Sequence, residues 1–174
     1  MKRILVIGVS AGAGKSTFSS CLGEKLNYPV THLDSLYFSP GWNEVSEEVF
    51  VQRQRIATAE SSWVIEGNYS RTLSVRDVRA DTVVYLELPL YLCLVRVFKR
   101  RIRYHGQTRP DMGKGCHEKL DWAFLKYILT TYRRRKIEMR NRMERYADDG
   151  KKVFVLQSRR QIKDFLDIKL DELH

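Results

Sequence analysis

Lys2-Arg3-Ile4-Leu5-Val6-Ile7-Gly8 is a short apolar run that passes directly into Val9-Ser10-Ala11-Gly12-Ala13-Gly14-Lys15-Ser16-Thr17. The run reads as a buried strand, and the glycine-rich stretch after it reads as a tight turn that opens a helix at Lys15. Glycines in such a turn let backbone N–H groups curl around phosphate oxygens. The lysine reaches the β and γ phosphates, and the next hydroxyl binds Mg²⁺. On this reading Gly12, Ala13, Gly14, Lys15, Ser16 and Thr17 hold a nucleotide, with Ser16 at the metal. One position departs from the spacing G-x-x-x-x-G-K-[ST]: its first glycine falls on Val9, and Gly8 lies one residue early. Either the loop is one residue longer, or valine serves in place of that glycine.

Working outward, Val30–Leu33, Trp63–Glu66, Thr82–Leu88 and Lys152–Leu156 are further runs rich in Val, Ile and Leu without strict alternation, the pattern of strands buried on both faces. Between them the sequence predicts helices over Lys15–Leu26, from Ser46 to about Ser61, over Leu90–Arg103, and from about Glu118 to Tyr146. The last of these carries an apolar face at Leu120, Phe124, Leu125, Ile128, Tyr132, Ile137 and Met143. A final helix starts at Ser158, with Gln161 at capping-box spacing. Strands alternating with helices imply an α/β architecture, a parallel five-stranded sheet joined by right-handed crossovers.

In an open parallel sheet, ligands gather beyond the carboxyl ends of the strands. Two acids stand at such ends: Asp34 after Thr31-His32-Leu33, and Glu66 at the end of Trp63-Val64-Ile65. An acid there can hold Mg²⁺ through water or accept the proton of an attacking hydroxyl. We therefore expect Asp34 at the acceptor and Glu66 at the metal. Either acid would otherwise be a turn carboxylate bound to backbone N–H groups. Tyr37 and Trp42 belong to an aromatic stretch that could wall a pocket for a planar ring or simply pack together. Arg71, Arg76 and Arg79 precede the fourth strand, and a guanidinium there could clamp an acceptor phosphate.

The chain has 174 residues, the size of one domain, and 43% hydrophobic with 30% charged residues excludes a disordered or collagen-like chain. No apolar run reaches the ~18 residues that span a bilayer. The charged start runs into a glycine-rich loop rather than a cleavage site, so we expect a cytoplasmic protein without membrane attachment. The three cysteines form neither a disulfide framework nor a metal motif. The net charge of +10 is localised: residues 1–92 carry 9 basic against 10 acidic residues, 93–145 carry 16 against 5, and 146–174 carry 6 against 6. We expect a lid-like basic segment at about 99–135, with Arg100, Arg101 and Arg133 to Arg135 as arginines that neutralise a moving phosphoryl group. Consecutive helical residues point apart, so at most two of Arg133 to Arg135 face one ligand.

These stretches together resemble the adenylate-kinase-like P-loop proteins, and most closely the bacterial family labelled DNA topology modulation protein, or FlaR-related. The resemblance is carried by Gly12–Thr17, His32-Leu33-Asp34 leading to Pro40-Gly41-Trp42, Trp63–Tyr69, Ala80-Asp81-Thr82 before Leu86–Pro89, Arg109–Met112 and Asp121–Leu125. It implies a three-layer P-loop NTPase fold with strand order 2-3-1-4-5, an arginine-bearing lid after the fourth strand, and ATP as phosphoryl donor. Glu66 stands where that family more often has aspartate.

The expected activity is Mg²⁺-dependent transfer of the γ-phosphoryl of ATP to a small, anionic acceptor such as a nucleoside monophosphate. Lys15, Asp34, Glu66, Arg100 and Arg133 would carry the chemistry, and Asp34, Tyr37, Trp42, Arg71 and Arg109 the acceptor. A hydroxylated metabolite would use the same chemistry with a different pocket. The other class is a nucleic-acid-associated ATPase or nucleotide-switched DNA-binding protein; positive charge favours it, but the sequence contains no recognisable nucleic-acid module. Oligomeric state is left open.

Overall fold

The structure, a computed structural model, describes residues 1–108, 111, 112, 115, 116 and 121–167. Its centre is a sheet of strands β1 (Arg3–Gly8), β2 (Val30–His32), β5 (Trp63–Glu66), β6 (Thr82–Leu86) and β7 (Lys152–Leu156). The strands lie in the order β2-β5-β1-β6-β7, and every pairing is parallel. Numbered within this sheet alone, the order is 2-3-1-4-5, as the resemblance implied. In the three central strands, β1, β5 and β6, every residue except Arg3 is buried, so both faces are covered.

Helix α1 (Lys15–Leu26) returns across β1, β2 and β5. Its Phe18 meets Phe165 of α7 (Arg159–Asp167) with ring centroids 5.7 Å apart, and Phe165 also meets Phe154 of β7 at 5.0 Å. The long helix α6 (Trp122–Asp148) packs against β6 and β7. Its inward stripe is Ile128, Tyr132, Met139, Met143 and Tyr146. Ile137, which we expected on that stripe, is exposed: it lies five residues past Tyr132, about 140° around the helix, whereas Met139 returns to the same face after seven. Asp121 sets the start by accepting the Phe124 N–H at 2.7 Å, one turn later than the expected start at Glu118; residues 118–120 lie outside the described part.

Other boundaries follow the same local chemistry. Helix α3 (Glu47–Ala57) is capped by Ser46 and ends at Thr58 rather than near Ser61. In α7 the Gln161 N–H donates to Ser158 Oγ at 3.1 Å, and Gln161 Oε1 accepts from Gln157 N–H at 2.6 Å, so the glutamine reaches back one residue further than a capping box requires. Helix α5 (Leu90–Arg103) matches its expected span.

Between β2 and α3 the chain forms a short helix α2 (Leu33–Tyr37) and a two-stranded antiparallel hairpin, β3 (Phe38–Ser39) with β4 (Asn43–Glu44). Leu33, expected to end the second strand, is the first residue of α2. A 3-10 turn at Ser70–Thr72 and the four-residue helix α4 (Ser74–Asp77) lead into β6. No helix among the described residues is long and apolar enough to cross a membrane.

Candidate active site

The loop after β1 leaves the sheet through Val9, which is fully buried and donates its N–H to the Leu86 carbonyl at 3.0 Å, prolonging the β1–β6 pairing by one residue. Its backbone is not in the left-handed region, so a valine fits there without strain. The demand for a glycine falls on Gly8 instead. A Cβ at Gly8 would lie 2.9 Å from Lys15 Cγ and 3.0 Å from the Ala13 Cβ. The lysine stem thus folds back over bare backbone at the strand end.

Gly14 is the residue before α1, with φ of 92°, and no side chain caps the helix. The first-turn N–H groups of α1 are left for an anion, which the helix dipole also favours. Gly12 has φ of 78°, and a Cβ on it would run into the Cys93 carbonyl. Two side chains beyond the loop fix its path. Asn68 accepts the Gly8 N–H at 3.0 Å and donates from Nδ2 to the Gly8 carbonyl at 2.9 Å. Arg96, on α5, donates from Nη1 to the Ala13 carbonyl at 2.9 Å.

Glu66 ends β5 with 3% exposure. Its Oε1 accepts from Ser16 Oγ at 3.0 Å and lies 3.0 Å from His32 Nδ1 at the end of β2. Burial alone would raise the Glu66 carboxyl, but the His32 hydrogen bond and the nearby Lys15 charge outweigh it and hold it below its ordinary value. Burial likewise works against a charged His32, yet the hydrogen bond and charge of Glu66, with Asp111 and Asp34 nearby, lift it above its ordinary value. The pair therefore stabilises the anionic carboxylate beside the loop.

Mg²⁺ keeps several waters and takes one or two protein oxygens plus phosphates. Among the described residues no cluster of three or more His, Cys, Asp or Glu side chains could cage a metal. The hydroxyl of Ser16 and the anionic carboxylate of Glu66 fit a cation that arrives with a nucleotide, and they do not make a cage for a resident one.

Asp34 lies one residue into α2, and its Oδ1 accepts the Tyr69 hydroxyl at 2.7 Å. Beside this bond is a pocket of about 270 Å³ lined by Tyr37, Phe50, Tyr69, Arg71, Thr72 and Glu47. The rings of Tyr37, Phe50 and Tyr69 lie 4.9 to 5.0 Å apart, each tilted or edge-on to the others.

No protein-family model matches the sequence, and no curated protein matches it. Solved structures do match it along nearly the whole length. A shikimate kinase from Bacteroides thetaiotaomicron is 20% identical over 99% of this chain and 97% of its own, with a TM-score of 0.55. A gluconokinase from Sinorhizobium meliloti is 16% identical over 95% and 87%, at 0.50. The YorR protein of Bacillus subtilis, solved in complex with phosphorylated GDP, is 17% identical over 98% and 98%, at 0.50. The fold is the α/β P-loop NTPase fold. These three neighbours are named for, or hold, three different small molecules, so the fold does not by itself select a ligand.

Within that fold the expected residues separate into groups. Gly12, Ala13, Gly14, Lys15, Ser16 and Thr17 form the loop and the first turn of α1, with Glu66 against Ser16. Tyr37 and Arg71 line one pocket with Asp34 beside it, and the Tyr37 hydroxyl donates to Glu44 at 2.7 Å. Trp42 sits in the turn of the β3–β4 hairpin with φ of 67°, its ring 5.0 Å from Phe38 and not among the residues lining that pocket. Arg76 is fully buried and bonded to Gln54 and Thr72, so it is not available as a clamp, and the exposed Arg79 donates from Nη1 to the Thr58 carbonyl at 2.6 Å. Arg100 lies in the last turn of α5, Arg133 is exposed on α6, and Arg109 lies outside the described residues.

Part of the basic segment is committed internally. Glu87, just past β6 and 3% exposed, receives Arg140 through both oxygens at 2.6 and 2.7 Å, Lys136 at 3.5 Å and Gln157 at 2.8 Å. Arg134 pairs with Glu138, and Arg135 lies 5.3 Å over the Tyr127 ring.

Arg96, Asn68 and Tyr69 were not assigned roles from the sequence. Arg96 is a lone arginine among apolar residues, one turn before the conspicuous Lys99–Arg103 cluster. Asn68 and Tyr69 follow Glu66-Gly67 at a strand end, and that position was their available signal.

Proposed function

We propose that the protein is a Mg²⁺-dependent kinase that transfers the γ-phosphoryl group of ATP to a small, anionic acceptor such as a nucleoside monophosphate, acting in the cytoplasm. One observation carries the reading. A phosphate loop with a buried carboxylate 3.0 Å from its serine faces the same end of the sheet as a second carboxylate beside an aromatic, arginine-bearing pocket. Two carboxylates at adjacent strand ends divide the work into a donor side and an acceptor side.

Lys15 and the loop N–H groups hold the donor phosphates, and Ser16 with Glu66 would hold Mg²⁺. The cation, when bound, neutralises charge on the phosphate oxygens. Asp34 orients the acceptor and, where the attacking oxygen carries a proton, takes it as that oxygen attacks the γ-phosphorus; the bond from that phosphorus to the bridging oxygen breaks, and ADP leaves. Tyr37 presents a ring face and Arg71 a guanidinium to the acceptor. Arg100 and Arg133, in a lid-like segment at about 99–135, supply positive charge to the moving group, and Arg109 to the acceptor. The finer family assignment, to the DNA topology modulation proteins, rests on the sequence stretches quoted above.

The alternative, a nucleic-acid-associated ATPase, draws on the positive charge of residues 93–145. The engagement of Arg140, Lys136, Arg134 and Arg135 with other groups of the chain weakens it. Asp34→Asn separates a working carboxylate from a structural one: ATP binding stays within about twofold while transfer falls by about 100-fold or more. Equal loss of both would make Asp34 a structural carboxylate.

A further inference from the structure

Tyr69 belongs both to the pocket wall and to Asp34. Its ring packs 5.0 Å from Tyr37 and 4.9 Å from Phe50, and its hydroxyl donates to Asp34 Oδ1 at 2.7 Å. Its own backbone is fixed from beneath. The Tyr69 carbonyl accepts from Thr72 N–H at 3.3 Å and Arg76 Nη2 at 3.5 Å, and Arg76 is fully buried and held by Gln54. The hydroxyl that reaches Asp34 therefore stands on a rigid mount.

We propose that Tyr69 is a positioning residue that joins acceptor recognition to phosphoryl transfer: its ring forms the surface against which the acceptor body lies, and its hydroxyl sets the orientation of the Asp34 carboxylate. This inference rests on the kinase reading above. Asp34 sits at the start of a helix of only five residues, so its own element fixes it weakly. Rate in phosphoryl transfer depends on holding the reacting oxygens within a few tenths of an ångström, and a hydrogen bond to a mounted phenol supplies that restraint. Burial, with the charge of Asp34, pushes the Tyr69 phenol far above its ordinary range, so the group stays protonated and donates at any working pH. It cannot itself serve as the base.

The test uses the full chain with γ-labelled ATP, Mg²⁺ and a panel of nucleoside monophosphates and shikimate. Tyr69→Phe keeps the ring and removes the hydroxyl. The expected result is a kcat lower by about 10- to 100-fold, with acceptor KM and ATP affinity within about twofold. Combining it with Asp34→Asn should cost no more than Asp34→Asn alone, because Tyr69 acts through that carboxylate. 3-Fluorotyrosine at position 69 retains ring and hydroxyl and should keep kcat within about threefold of the native chain. An unchanged kcat in Tyr69→Phe overturns the proposal. So does multiplication of the two losses in the double variant, or equal damage from 3-fluorotyrosine and phenylalanine, which would mark a packing role. Failure of the native chain to label any acceptor in the panel overturns the kinase reading itself, and the positioning role with it.

Discussion

Arg96 Nη1 donates to the Ala13 carbonyl at 2.9 Å, and the same nitrogen lies 2.6 Å from where a Cβ on Gly14 would stand. One guanidinium thus braces the phosphate loop from α5 and would have to move to admit a side chain at the residue before α1, where a φ of 92° already favours glycine. Arg96→Ala should weaken ATP binding by about 10-fold, since a loop that must order itself on binding spends part of its affinity doing so. Gly14→Ala meets both the guanidinium and a φ of 92°, and should be more damaging. The double variant Gly14→Ala with Arg96→Ala relieves the collision, so its thermal unfolding midpoint should lie above that of Gly14→Ala alone. A midpoint lower still would show that the collision is not the source of the damage.

Glu87 offers a stability prediction that is independent of ligand. Burial would raise its carboxyl, but hydrogen bonds from Arg140 and Gln157 hold it below its ordinary value. Glu87→Ala removes the acceptor shared by Arg140 and Gln157; because the Arg140 side chain is half exposed and can be resolvated, the loss is about 1 to 2 kcal/mol. Denaturant unfolding of Glu87→Ala, compared with an exposed control such as Glu60→Ala, should show that difference. Losses within about 0.5 kcal/mol of each other would mean that the network is solvated.

Asp81 ties the start of β1 to the start of β6. It accepts the Lys2 N–H at 3.1 Å, the Arg3 N–H at 2.9 Å and the Thr82 hydroxyl at 2.7 Å. Burial acts to raise its carboxyl, and these donors overcome it and hold the folded-state value below the ordinary one. The contribution to stability is therefore complete above the unfolded-state value of about 3.9 and is lost as pH falls through the lower folded-state value. Asp81→Asn should cost about 1 to 2 kcal/mol at pH 7. In urea unfolding the gap between native and variant should close as pH falls below about 4. A gap that persists unchanged at pH 2 would assign the loss to packing.

The sheet was legible because its central strands are buried on both faces and so appear as unbroken apolar runs: Trp63–Glu66 falls where expected to the residue, and so does the partly exposed edge strand Lys152–Leu156. The phosphate loop was legible because its chemistry is local, although Val9 became intelligible only when the structure moved the glycine requirement to Gly8. What escaped has no periodicity to read. A five-residue helix such as Leu33–Tyr37 contains little more than one turn, and strands of two residues, Phe38–Ser39 and Asn43–Glu44, cannot show alternation. The braces on the loop escaped for another reason. Asn68 and Arg96 act across 60 and 83 residues of chain, and no spacing in the sequence announces which polar group will reach a given carbonyl. Arg76 illustrates the converse: it reads as a candidate anion clamp, but the fold buries it completely beside Gln54.

The central claim is that the loop at Lys15 and the carboxylate at Asp34 serve one transfer reaction. The most direct measurement is transfer from γ-labelled ATP in the presence of Mg²⁺ to nucleoside monophosphates, small hydroxylated metabolites and duplex DNA, with Lys15→Ala as control. A labelled small-molecule product, absent with Lys15→Ala, is the predicted result. Release of phosphate alone, accelerated by DNA and with no labelled acceptor, would contradict it and make the protein a nucleic-acid-coupled ATPase.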